Sequence, residues 1–327
     1  MSAVRSPYSE HPTPDAPHAL AVVIEAPEQL RLSSVEMVPA GDDDVVVDVL
    51  WSGISTGTER LLWSGRMPPF PGMGYPLVPG YETVGRISAT GANVDRRVGE
   101  CVFVPGSRSF KEVKSLFGGA AARLVVPAAR AIEVDESLGE QSVLLALAAT
   151  AQHAIAGGSA PPDLIVGHGV LGRLLARSTV AAGAPPPTVW ERQPLRLDGA
   201  VGYVVMDPSA DTRRDYRAIY DVSGDPTLLD ELIARLAPGG EIVLAGFYSE
   251  PLTFSFAPAF MREARIRVAA EWQPQDLVAV KSQIDSGALS LDALITHRAS
   301  VARAQSAYRT AFADPSCLKM VLDWRFR

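Results

Sequence analysis

The stretch Asp163-Leu-Ile-Val-Gly-His-Gly-Val-Leu-Gly172 constrains this chain more than any other. A short apolar run, Leu164 to Val166, gives way to Gly167, Gly169 and Gly172, and an apolar, Arg-punctuated run follows from Leu171 to Ala182. The pattern predicts strand, tight turn and helix. The first glycine permits the turn, the second lets main chain approach a pyrophosphate, and the third lets the helix pack on the strand. Val170 and Leu171 open that helix, where free N–H groups and the helix dipole favour phosphate. Thr188-Val-Trp190 reads as the second strand, closed by Glu191. Glu191 follows Gly172 at the spacing of roughly 20 residues expected of the acid that holds the adenosine ribose hydroxyls. An acid there prefers NAD to NADP, because a 2′-phosphate would meet its charge. Arg192 weakens that preference without reversing it. The competing reading is a glycine-rich turn in an ordinary α/β domain.

At 327 residues the chain has room for two domains, and 47% hydrophobic residues supply a sizeable core. A net charge of −7 argues against a nucleic-acid partner. No run of apolar residues is long enough for a transmembrane helix. Residues 1–18 are polar and proline-rich and read as a disordered tail without the apolar core of a signal peptide. Two cysteines, Cys101 and Cys317, exclude a disulfide framework and a four-cysteine zinc site, and fit a reducing cytoplasm.

From residue 19 the sequence alternates short β-prone runs with turns, and Ser52 to Pro79 is dense in glycine and proline, as in loops. Gly139 to Ile155 is helical in pattern, and residues 157–162 read as a linker. Strands and helices then alternate, with strands expected at 164–166, 188–190, 203–206, 218–221, 241–245 and 266–270. This predicts an α/β chain: a β-rich unit of residues 19–157 with 295–327, and a doubly wound parallel sheet over 158–294. Ligands of such sheets lie beyond the carboxyl ends of the strands, which selects Gly167, Glu191, Ser223, Gly246 and Phe247.

Four segments carry a resemblance. Gly53-Ile-Ser-Thr-Gly-Thr-Glu59 resembles G-I-C-G-T-D with one residue inserted, and Pro76-Leu-Val-Pro-Gly-Tyr-Glu-Thr-Val-Gly85 resembles P-x-x-x-G-H-E-x-x-G. Residues 237–247 and Leu294-Ile-Thr-His-Arg298 resemble the later sheet and the return of the same plan. The plan is that of the medium-chain dehydrogenase/reductase superfamily, a GroES-like catalytic domain joined to a Rossmann domain. Longer stretches, Ser52 to Trp63, Arg66 to Pro76, Ile165 to Ala176, Pro258 to Trp272 and Cys317 to Trp324, resemble its pigment-synthesis branch. The resemblance implies NAD-dependent oxidation of a ring-A hydroxyethyl group to acetyl on a magnesium tetrapyrrole.

Zinc members of the superfamily use a Cys, a His and a Glu or Cys. Here the Cys position falls on Ser55 or Thr56 and the His position on Tyr81, while Glu82 remains. Hydroxyl side chains are poor zinc ligands, so no catalytic metal is expected. A conjugated macrocycle can share positive charge as hydride leaves, which would make a metal dispensable. The hydroxyl proton still needs an acceptor, for which Thr58, Tyr81, Glu82, Glu59 and His153 are candidates, with a relay through Thr58 or Tyr81 near Glu82 favoured. His153 and His168 also admit purely structural readings, His168 as a border of the pyrophosphate. Ser55, Thr56, Trp63, Phe70 and Tyr75 are candidates for substrate contact, and Arg60, Arg66, Arg108, Lys111 and Lys114 form a pool of cations for the pigment's propionate. Residues 264–272 include a possible edge strand, so a homodimer is expected. Transient contact with a membrane surface is compatible with this substrate. A zinc-free quinone or enone reductase, a methyltransferase, and a non-catalytic pigment carrier with bound NAD remain as rivals.

Overall fold

The computed structural model describes residues 17–325 except 70, 116 and 270. The candidate Phe70, the end of the 266–270 strand and nearly all of the expected tail therefore lie outside the described residues. His18, expected in that tail, instead opens a strand.

β1 (His18–Ala26) and β2 (Gln29–Glu36) form an antiparallel hairpin. β3 (Asp44–Ile54) buries Val45, Val47 and Val49 at every second position, the period of a strand with one face on a core. α1 (Thr58–Trp63) is a short helix inside the segment expected to be loop. It spans six residues, too few for a helical period to show, and is held by burial of Leu62 and Glu59. β4 (Thr83–Thr90), β5 (Cys101–Val104), β6 (Arg123–Pro127) and β7 (Ile132–Glu133) complete the N-terminal β region. The helix expected from Gly139 begins only at Leu145: residues 136–144 are 3-10 turns broken at Gly139, whose φ is 51°. α2 (Leu145–Ala156) is rich in Ala and Leu and packs against the helices of residues 170–181 and 274–285.

The second half alternates strand and helix except from β9 to β11, where only 3-10 turns stand between the strands: β8 (Leu164–Val166), α3 (Val170–Ala181), β9 (Thr188–Trp190), β10 (Val204–Met206), β11 (Tyr216–Asp221), α4 (Leu229–Arg235), β12 (Leu236–Leu244), α5 (Phe256–Met261), β13 (Arg265–Val268) and α6 (Pro274–Asp285). Its six strands are all parallel, in the order β10-β9-β8-β11-β12-β13. The order reverses between β8 and β11, and a crevice opens at such a switch point. β14 (His297–Ser300), α7 (Ala304–Ala313) and β15 (Met320–Asp323) return the chain to the first half. β15 lies antiparallel to β3, with Met320 opposite Ile54. This pairing brings the end of the chain to the turn that follows β3. Among the described residues no helix is long and apolar enough to cross a membrane.

Candidate active site

The glycine turn has the shape expected of it. Gly167 takes a left-handed φ of 106° as the chain leaves β8. A Cβ on Gly172 would fall 1.9 Å from the Gly167 carbonyl oxygen, so only glycine lets α3 pack this closely. A Cβ on Gly169 would meet nothing within 4 Å. No side chain caps the helix that starts at Val170 and Leu171, leaving its first N–H groups aimed at this open space. The turn thus fits a pyrophosphate. Glu191 sits at the end of β9 and accepts from the main-chain N–H of His168 (3.0 Å) and of Gln193 (2.8 Å), which fixes its carboxylate beside the turn. Arg192 points instead toward Glu231, at 3.7 Å.

Ser223 follows β11 and gives its main-chain N–H and its hydroxyl to Asp221. Gly246 follows β12, where a Cβ would lie 3.2 Å from the Gly224 nitrogen, and Phe247 beside it is exposed. His168 does not border the phosphate space. Its ring is fully buried, with Nδ1 2.6 Å from the Arg196 carbonyl and Nε2 2.8 Å from the Tyr203 hydroxyl. Burial lowers its pKa to about 4, so it is a neutral structural group.

The second cluster forms where β3, α1, the turn before β4, α7 and the start of β15 converge. Tyr81 donates to the Ser55 hydroxyl at 2.6 Å and also hydrogen-bonds Thr58. Burial, with the Glu82 charge, holds the Tyr81 phenol far above its ordinary range, so it keeps its proton at neutral pH. Phe117, in a left-handed φ of 77°, sets its ring edge-on to Tyr81 with centroids 4.9 Å apart. A bulky residue in that conformation is costly and marks a place held by its surroundings.

Behind this hydroxyl pair lie two fully buried carboxylates. Glu82 accepts from the Lys319 ammonium at 2.7 and 2.6 Å on its two oxygens. Burial raises its pKa above the ordinary carboxylate value, against the downward pull of Lys319. Glu59 accepts from the Ser55 main-chain N–H at 3.1 Å and from the Tyr308 hydroxyl at 2.9 Å. Burial pushes Glu59 up to about 8. One ammonium thus compensates one carboxylate, and the other is positioned to keep its proton.

Neither Lys319 nor Tyr308 is singled out by the sequence patterns. The available signal is a lysine inside the apolar run Cys317-Leu-Lys-Met-Val-Leu322, where a charge implies a buried partner. His153 is not brought into this cluster by any hydrogen bond. Its Nδ1 lies 2.8 Å from Asp276, a residue of the capping box of α6, so it ties α2 to α6.

Of the substrate candidates, Ser55 belongs to the hydroxyl pair and Thr56 is half-buried beside it. Trp63 packs on Phe312 of α7, with centroids 5.5 Å apart, and Tyr75 donates to the Leu62 carbonyl. Both are partly seated on the β-domain core. Of the cation pool, Lys111 pairs with Glu36 and Arg66 reaches Glu250. Among the described residues Arg60, Arg108 and Lys114 are exposed and have no carboxylate partner.

A metal does not fit the cluster. The positions that match zinc ligands offer hydroxyls, and both oxygens of Glu82 are taken by an ammonium. Among the described residues no three His, Cys, Asp or Glu side chains are grouped to hold an ion.

Comparison with known proteins agrees with the fold. Residues 41–136 match the alcohol dehydrogenase GroES-like domain, which removes the methyltransferase reading. Two 2-desacetyl-2-hydroxyethyl bacteriochlorophyllide A dehydrogenases are similar across their length. That of Rhodobacter capsulatus is 57% identical over 93% of this chain and 98% of its own. That of Cereibacter sphaeroides is also 57% identical, over 93% and 98%. Among solved structures, a short chain alcohol dehydrogenase of Escherichia coli complexed with NADH superposes with a TM-score of 0.80, at 24% identity, covering 94% of this chain and 99% of that one.

Proposed function

The chain belongs to the medium-chain dehydrogenase/reductase superfamily, in the family of its two hydroxyethyl bacteriochlorophyllide dehydrogenase relatives, and on that premise we propose that it oxidises the ring-A hydroxyethyl group of a bacteriochlorophyllide to acetyl with NAD and without a catalytic metal. The observation that carries the reading is the 57% identity over 93% of the chain to those relatives. Replacement of the zinc ligands by Ser55, Thr56 and Tyr81 supports the metal-free part.

Gly167, Gly169, Val170, Leu171 and Gly172 would hold the pyrophosphate, and Glu191, with Arg192 outside it, the adenosine ribose. Ser223, Gly246 and Phe247 line the strand ends nearer the reacting ring. The chemistry that bound NAD supplies is acceptance of a hydride from the carbinol carbon. The chain's own work is to hold the alcohol and take its proton. The Ser55–Tyr81 pair orients the hydroxyl, and the proton leaves through the Thr58–Tyr81–Ser55 hydroxyl chain, whose half-exposed Thr58 gives it an outlet to water. Glu82 acts behind the pair rather than as the base. The rings of Trp63 and Tyr75 would wall the flat macrocycle. We also read the outer strand β13, with exposed Val268, as the pairing edge of a homodimer, and the cytoplasm as the place of action.

The test is purified protein with NAD and hydroxyethyl bacteriochlorophyllide a, following NADH and the pigment's long-wavelength band together. Coupled NADH formation and band shift are expected. Tyr81→Phe should lower kcat by about 10²-fold or more with NAD affinity unchanged. NAD binding without turnover on an active pigment preparation would favour the carrier reading and reject this one.

A further inference from the structure

The Lys319–Glu82 pair takes no place in the hydroxyl chain, yet it is built around it. Lys319, 1% exposed, has Nζ 2.7 and 2.6 Å from the two Glu82 oxygens and 3.3 Å from the Ile54 carbonyl. Ile54 and Glu82 are the immediate chain neighbours of Ser55 and Tyr81, the two residues that share the 2.6 Å hydrogen bond. The same turn is shaped around this carboxylate. The Gly53 N–H donates to the Glu82 carbonyl at 2.8 Å, and a Cβ on Gly53 would fall 2.1 Å from Glu82 Oε2.

Burying two charges is costly, and well-packed apolar residues of like volume often serve stability as well or better. Stability therefore gives no reason for this pair, and its placement does.

We infer that Lys319 is a positioning residue for the oxidation: its ammonium, acting through Glu82 and the Ile54 carbonyl, sets the spacing of Ser55 and Tyr81. The inference rests on the reading of Ser55 and Tyr81 as the reacting pair. A fixed spacing keeps both hydroxyls within reach of the alcohol oxygen as its proton departs. The two contacts of Lys319 also leave neither oxygen of Glu82 free for another ligand.

Lys319→Met keeps the length of the side chain and removes the charge. It leaves Glu82 uncompensated and can fail to fold, so the informative variant is Lys319→Met with Glu82→Gln, a neutral pair of similar volume. This double variant should fold and bind NAD as the parent does. Its kcat should fall about 100-fold, while KM for the pigment moves less than about threefold. Lys319→Arg should recover kcat to within about tenfold, because the contact with Glu82 returns.

A folded double variant with parental kcat would overturn the inference, as would an arginine variant that folds and binds NAD but turns over no better than the neutral pair. Tyr81→Phe, assayed in parallel, separates this from the reading beneath it. Parental turnover in Tyr81→Phe removes the reacting pair itself, whereas loss in Tyr81→Phe with none in the double variant removes only Lys319.

Discussion

The two proposed parts of the site are built on different principles. The proposed dinucleotide end is made of consecutive chain and of backbone: the turn from Gly167 to Gly172 and the strand end at Glu191. Its single charged side chain rests on main-chain N–H groups. The reaction end is made of side chains gathered from positions 53–59, 81–82, 308 and 319, with the Lys319–Glu82 contact spanning 237 residues. Its charges are buried and must balance among themselves. The first kind of site tolerates changes of surface charge and no change of shape. The second is exposed to any change in its inventory of protons and charges.

Gly172→Val should break the dinucleotide end outright. The added side chain meets the Gly167 carbonyl, which cannot move without displacing β8. Loss of NAD binding by about 100-fold or more, or loss of soluble protein, is expected by fluorescence titration and expression. Lys319→Met alone should cost on the order of 3–5 kcal/mol in denaturant unfolding, as when one partner of a buried pair is removed. A surface ion pair such as Arg66–Glu250 should cost at most about 1 kcal/mol. Glu191→Ala sharpens the contrast from the other side. Fold and kcat should be kept while NAD affinity falls about tenfold and discrimination against NADP narrows, since the ribose loses a charged hydrogen-bond acceptor.

The effects of pH carry opposite signs at the two ends. Glu59 titrates near 8, against an ordinary 4.5, because burial disfavours its charged form. Folding takes up a proton between those values, so this contribution is complete below 4.5 and is lost as pH rises through about 8. His168 titrates near 4, against an ordinary 6.5, again through burial. Folding releases a proton there, so its contribution is complete above 6.5 and is lost as pH falls through about 4. Hydrogen exchange should therefore loosen the Ser55–Trp63 segment first on the alkaline side and the Gly167–Arg173 turn first on the acid side. Glu59→Gln should flatten the alkaline loss of melting temperature without touching the acid one.

What could be read from sequence divides along the same line. The strand–turn–helix at Asp163, the acid at Glu191 and the six parallel strands follow from local spacing, since each glycine's role is set by its neighbours in the chain. The departures at Ser55 and Tyr81 were visible because the segments around them resemble a known pattern. Lys319 and Tyr308 were not, because their meaning arises only when β15 pairs with β3 and α7 packs beside α1. α1 was missed for a local reason, being shorter than the period that would reveal it. His168 was placed at the phosphates because it stands between two of their glycines, whereas its ring turns inward to the Arg196 carbonyl and Tyr203.

Whether the oxidation needs a metal is decided by turnover of protein stripped of metal, with the metal content of the same sample determined by mass spectrometry. Hydroxyethyl bacteriochlorophyllide should be oxidised at the untreated rate by protein holding far less than one metal ion per chain, and added zinc should not raise that rate. Activity lost on stripping and restored by stoichiometric zinc would contradict it, and would return Glu82 from Lys319 to a metal.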